Sequence, residues 1–298
     1  MLLFRRPSRR SVVFVVEPRF AESGTSVMRG QQLSEIAQSS GLSSRTISCA
    51  PVDPSIRRSD IFLTKGVMKT GDLDLWKRWR RQGNRLFLDP VDEGINDALI
   101  DAVDVVVAAS MSAYDAYRTE FPRADIRLLN HHVDPRVAEA LQRHSDKPRQ
   151  TGIGYFGEPV NTVRTDRIAD HVTFVPVSTA RQDTGWLESI AAFDMHYAIR
   201  RPRALDHHKP FLKGFTAAAC GANILIQRGQ PEAARWLPPE YPFWVETDPD
   251  EAAILRAIEQ AEASRGGPEW RAGLDAMRSI ASRTSPAAIG SELEALFS

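Results

Sequence analysis

Residues 200–221, RRPRALDHHKPFLKGFTAAACG, gather Arg200, Arg201, Arg203, Lys209 and Lys213 into one short stretch. Against 32 arginines the chain has only six lysines, so Lys209 and Lys213 stand out, as do Lys65 and Lys69 at the same spacing. A compact ammonium beside the free N–H groups of a helix start suits a phosphate. The plainer alternative is a solvated basic loop, the usual fate of charge runs. The small residues that follow, 216–221, allow a close helix approach and favour the phosphate.

Acid–base candidates lie in the first half. The loop EPRFAESGT, residues 17–25, offers Glu22 as a base and Ser23, Gly24 and Thr25 as backbone donors. Asp89 and Asp92 in FLDPVDEG and His132 in LLNHHVDP occupy strand-end positions, where ligands meet doubly wound sheets. A proline turn with an Asx cap accounts equally well for the aspartates, and a lone histidine is more often structural than catalytic.

These residues need elements to hold them, and a strand-then-helix rhythm supplies these. Short Val/Ile/Leu runs at 11–16, 46–49, 61–63, 85–88, 103–109 and 126–129 alternate with helical stretches such as 73–82 and 111–121. Near-continuous apolar strands read as buried parallel strands with helices on both faces. The polar stretch around 142–151 reads as a linker. The rhythm restarts with strands at 152–156, 172–175, 195–199, 223–227 and 243–246. Asp248-Pro249-Asp250-Glu251 then supplies a helix start, and two further helices, around 270–281 and 286–296, follow. The expected architecture is α/β: two Rossmann-like doubly wound domains, residues 1–148 and 149–298, facing a central cleft.

Other strings carry less. G-x-G-x-x-G at 152–157 signals a dinucleotide only between a strand and a helix; here Ile153, Tyr155 and Phe156 read as the strand itself. Asp72-Leu73-Asp74 and Asp248-Pro249-Asp250 read as helix caps rather than metal ligands. No His, Asp or Cys group has metal-ligand spacing, so no metal is expected. Cys49 and Cys220 make no disulfide framework. In LWKRWRR, residues 75–81, the tryptophans are expected to pack inward with the cations outward; a contact with an anionic membrane surface stays open beside that reading.

Composition narrows the field. In 298 residues, 38 basic and 38 acidic side chains balance to zero formal charge, so no global field draws the chain to nucleic acid. No apolar run approaches the ~20 residues of a membrane helix. The start, MLLFRRPSRRSVVFVVEPRF, lacks the order and cleavage site of a signal peptide. A cytoplasmic protein is the expectation, with peripheral contact at the inner face of the membrane left open.

VVFVVEPRFAESGTSVMRG, DALIDAVDVVVAASMSAYDAYRTEFP with RLLNHHVDP, IGYFGEPVNT and KPFLKGFTAAACGANILIQ together give the chain a likeness that covers most of its length. It resembles the GT-B-fold glycosyltransferases, especially the group-1/family-4-like enzymes of bacterial surface polysaccharide synthesis. The resemblance implies sugar transfer from a nucleotide-sugar donor to a glycan, lipid-linked or other acceptor, with neither a metal nor a further cofactor. It puts the nucleotide mainly on the second domain and the acceptor on the first. Donor-side residues would then include Gly157 and Asn161 of IGYFGEPVNT, with Arg200, Arg201, Lys209, Lys213 and Thr216. One departure is clear: the family's glutamate pair before the A-C-G helix falls on His208 and Thr216. That departure supports a rival, a non-catalytic GT-B-like binding or scaffold protein. A NAD(P)-binding Rossmann oxidoreductase is the remaining alternative.

Overall fold

The computed structural model describes residues 10–48, 56–144, 151–181, 183–201 and 204–298. Cys49 and Arg203 of the sequence reading, with the 145–150 part of the linker, lie outside them.

Two parallel sheets form, as the continuous apolar runs require. The first contains β1 (Val12–Val16), β2 (Ser44–Ser48), β3 (Asp60–Leu63), β4 (Arg85–Val91), β5 (Val105–Ala108) and β6 (Ile126–Leu128), in the order β2-β1-β3-β4-β5-β6. The second contains β7 (Ile153–Gly157), β8 (Val172–Pro176), β9 (Met195–Tyr197), β10 (Asn223–Gln227) and β11 (Trp244–Val245), in the order β11-β10-β9-β7-β8. Every strand pair in both sheets is parallel.

All five residues of β1 are buried, because the sheet is covered on both sides. Val13 and Val15 join a core with Trp76 and Trp79, whereas Val12 and Phe14 join another with Leu33 and Ile36. The tryptophans of the helix Leu73–Arg81 thus point inward, while Lys77 and Arg78 stay more than half exposed. Asp72 caps that helix and Asp250 caps Glu251–Ala263, each through its carboxylate.

The chain crosses between the two cores twice, at the helices Pro135–Arg143 and Pro286–Leu296. Val137 and Ala140 of the helix Pro135–Arg143 are buried in the second-sheet core. Conversely Ile289, Leu293 and Leu296 of the last helix, Pro286–Leu296, pack on the first sheet. Phe297 follows them, its ring 4.9 Å from that of Phe87. Arg127 and Arg85 donate to the carbonyls of Leu296 and Phe297, which lack partners at a helix end.

Strand β4 departs from the expected turn at Pro90. It continues to Val91 with a register shift against β5, and Val91 has φ +62°, a left-handed conformation that costs a β-branched residue free energy. Among the described residues no helix is long and apolar enough to cross a membrane.

Candidate functional site

A cavity of about 500 Å³ lies between the carboxyl ends of the two sheets. The first half contributes Gly24, Thr25, Met28, Lys65, Val91, Asp92, His131 and Asp134; the second contributes Gly157, Glu158, Asn161, Arg200, Lys209, Lys213, Thr216 and Glu232, among others.

On the first side, Ser23 caps a helix that begins at Gly24, its Oγ accepting from the N–H of Ser26. The side chain of Ser23 therefore holds the helix start and does not line the cavity, whereas Gly24 and Thr25 do. The Gly24 N–H donates across the cleft to the carbonyl of Thr179 at 3.0 Å. Glu22 is exposed in the preceding turn and is not part of the wall.

Asp92 does line the cavity, carried there by the strained end of β4. Lys65 reaches Asp92 Oδ1 at 2.5 Å and Glu93 Oε1 at 2.8 Å, and Lys69 reaches Glu93 at 2.7 Å. Burial works against the charge on Lys65, but hydrogen bonds to Asp92 and Glu93 outweigh it and hold its pKa above the ordinary value. Burial likewise opposes the Glu93 carboxylate, yet Lys65 and Lys69 keep its pKa below the usual range.

His132 is buried behind the wall, correcting the expectation that it faces the cleft. Its Nε2 lies 3.0 Å from Gln32 Oε1, and burial plus the nearby Arg29 push its pKa down to about 3. The neighbour, His131, takes the place in the wall. Its Nδ1 donates to the His132 carbonyl, and burial, Arg29 and His132 keep the ring neutral, so Nε2 presents a lone pair. Beneath both, Arg29 bonds Asp89 at 2.6 Å and the carbonyls of Leu129 and Asn130, all fully or nearly fully buried. Asp89 is thus a structural partner, not a free acid at a strand end.

The second wall is richer in cations. Lys213 lies in the first turn of the helix Leu212–Ala219, whose N-terminus has no side-chain cap. Its ammonium donates to the carbonyl of Phe156 and sits 4.1 Å from the centre of the Tyr155 ring. Burial, with Arg200 and Lys209 nearby, pushes its pKa down to about 7. Gly157 makes room for it: a Cβ there would lie 2.6 Å from the Lys213 nitrogen. Arg200 and Lys209 share Asp206, at 2.8 and 3.3 Å, and among the described residues the buried Nε of Arg200 has no hydrogen-bond partner. Gln227 fixes the Arg200 backbone from both sides. Asn161 donates to Glu158, and its own buried Oδ1 has no partner among the described residues. Arg201 is exposed and outside the wall. Thr216 lines the cavity, while His208 turns away and stacks edge-on against Tyr117 of the first half.

Sequence reasoning missed Glu232. Both its oxygens accept N–H groups of Met111 and Ser112, at the start of a first-half helix, and Oε1 also accepts from Trp236 Nε1. No local signal announces a cap supplied from the other half of the chain. Lys65 had a signal, its rarity, but its carboxylate partners lie 27 and 28 positions away. The string G-x-G-x-x-G is β7 itself and leads into a single 3₁₀ turn, Pro159–Asn161, rather than the helix a dinucleotide fingerprint needs.

Neither a family model nor a curated protein matches the sequence. Solved structures do match along nearly the whole chain. A glycosyltransferase from Rickettsia africae ESF-5 aligns over 98% of both chains with a TM-score of 0.67 at 10% identity. The sucrose-phosphate synthase of Thermosynechococcus elongatus covers 97% of this chain and 98% of its own, with a TM-score of 0.61 at 14% identity. The fold is GT-B. An alpha-glucosyltransferase in complex with UDP and a 13-mer DNA gives 98% and 99% coverage, with a TM-score of 0.59 at 7% identity. At these identities the likeness establishes the GT-B architecture alone, two parallel sheets opening on a shared cleft.

Proposed function

We propose that this GT-B protein is a glycosyltransferase that moves a sugar from a nucleotide-sugar donor to a glycan or lipid-linked acceptor. The observation that carries this reading is the cation-lined second wall facing Asp92 and His131 across one cavity. Solved GT-B neighbours that are themselves glycosyltransferases support it.

In this mechanism the diphosphate lies at the uncapped start of Leu212–Ala219, against Lys213, Arg200 and Lys209. The acceptor hydroxyl oxygen bonds to the anomeric carbon as the bond from that carbon to the diphosphate oxygen breaks. Negative charge grows on the departing oxygen, where preorganised donors are most effective. Side-chain cations, rather than a divalent metal, fill that role. Asp92 takes the proton that leaves the acceptor hydroxyl, and His131 Nε2 accepts a hydrogen bond from a sugar hydroxyl. Thr216, in the place of an acidic side chain, offers the donor a hydroxyl.

The outward cations of Leu73–Arg81 fit contact with an anionic membrane surface from the cytoplasmic side. Phe20, exposed by 37%, lies against Gly66, next in the chain to the cavity residue Lys65, and suits the apolar part of a lipid-linked acceptor.

The test is a screen of UDP-, GDP- and CMP-sugars for turnover, repeated on Lys213→Ala. One sugar nucleotide should be consumed, and the folded variant should lose most of that rate. Unchanged kinetics in a correctly folded Lys213→Ala protein would remove the assignment. Absence of nucleotide binding, together with tight binding of a glycan or protein, would favour a scaffold.

A further inference from the structure

The charge on the first wall is closed on itself. Among the described residues, Lys65 is the one cation that the first half contributes to the cavity lining, and two carboxylates already hold it. Glu93 is held in turn by Lys69, which completes the chain Asp92–Lys65–Glu93–Lys69. The remaining acid of this wall, Asp134, is matched by Arg136 at 2.6 Å. A phosphate group here would have to strip Lys65 of a carboxylate or sit beside two of them. A hydroxyl has no such conflict: Asp92 engages Lys65 through Oδ1, leaving Oδ2 to accept, and the Lys65 ammonium has a third proton to give.

We propose that the acceptor presents a neutral polyol to this wall, the unphosphorylated end of a sugar or sugar alcohol, and that the Asp92–Lys65–Glu93–Lys69 chain rejects phosphorylated monosaccharides. This rests on the reading of the first wall as the acceptor side. It extends that reading to a substrate class, because the two walls differ in which charge they can still accept. The second wall, with Arg200 and Lys209 sharing Asp206, Lys213 buried beside them, and an Arg200 Nε that has no hydrogen-bond partner among the described residues, takes the anion. The first takes hydroxyls.

The test is equilibrium binding, so it does not depend on turnover. Methyl glycosides of glucose, galactose, mannose and N-acetylglucosamine are titrated against the 6-phosphates of the same sugars, with and without saturating nucleoside diphosphate. At least one neutral glycoside should bind about tenfold or more tightly than its 6-phosphate. Glu93→Gln removes one negative charge beside Lys65 without touching the cavity lining, and should narrow that gap by about tenfold, the effect of one unit charge a few ångströms away. A 6-phosphate that binds the unaltered protein as tightly as its glycoside overturns the proposal, as does failure of every neutral glycoside to bind. The nucleotide titration is read separately. Its failure would remove the donor assignment, whereas a wrong acceptor pattern with intact nucleotide binding would remove only the acceptor class.

Discussion

On the wall built by the first sheet, Lys65 lies between Asp92 and Glu93, and Arg136 lies against Asp134. On the wall built by the second, Arg200 and Lys209 divide one aspartate, and Lys213 is held by a carbonyl and an aromatic ring, with Glu158 acting on it through space. Both walls start alike. Each first strand, β1 and β7, ends in a Glu-Pro pair that opens a 3₁₀ turn, Pro18–Phe20 and Pro159–Asn161. The same local device therefore serves two chemistries. What separates them is the charge brought in by later elements: a strained strand end with two acids in the first half, an uncapped helix start with lysines in the second.

That contrast can be broken at its hinge. Glu232 belongs to the second half but satisfies the helix start of the first, so Glu232→Ala removes the acceptor of two part-buried N–H groups and of the buried Trp236 indole. We expect a loss of about 2–3 kcal/mol of stability in urea unfolding, the range for a buried charged acceptor. A loss below about 0.5 kcal/mol would mean that the two halves do not rely on this contact.

A second test concerns the buried histidines behind the first wall. The folded pKa of His132, about 3, lies below the unfolded value near 6.5. The stability tied to its neutral form is therefore complete above pH 6.5 and is lost as pH falls towards 3. Between pH 6.5 and 5 this amounts to about 2 kcal/mol. His131 is shifted the same way and steepens the slope. His132→Phe should be less stable at pH 7 yet show a shallower decline, followed by thermal melting. An equally steep decline in the variant would contradict burial of a neutral ring.

A smaller effect sharpens the second wall. Gly157→Ala places a methyl where the Lys213 ammonium and Tyr155 hydroxyl lie, within 2.6 and 2.8 Å. Displacement of the ammonium should weaken nucleoside diphosphate binding by about three- to tenfold, with the fold retained by circular dichroism. Unaltered affinity would show that the position of Lys213 is not critical.

Much of the fold was legible because its signals are local. The apolar runs of β1 and β5 match buried parallel strands, and Asp72 and Asp250 cap the helices their spacing announces. That Lys213, Asp92 and Gly24 line the cavity was legible because they follow strand ends or lie in the first turn of a helix. The rest depended on distant partners. Whether His131 or His132 faces the cavity is decided by Gln32 and Arg29, about 100 positions earlier. Asp89 reads as a turn acid until Arg29 reaches it. The last helix has an apolar stripe that would suit either core, and distant residues decide which takes it: Leu33 and Ile36 share its core, Asn130 bonds Glu292, and Phe14, Phe62 and Phe87 pack on Phe297 just beyond its end. Nothing near Glu22 signals that its turn points away.

The central claim, that the second wall is built for a diphosphate, is tested most directly by calorimetry of nucleoside diphosphates at several pH values. With the free Lys213 near pKa 7, binding of the anion should draw a proton onto it. Affinity should therefore fall as pH rises above about 7, with proton uptake seen as a buffer-dependent heat, and Lys213→Ala should lose both the pH dependence and about 10–100-fold in affinity. Binding that is independent of pH and unchanged in Lys213→Ala, or no binding of any nucleoside diphosphate, would contradict the account.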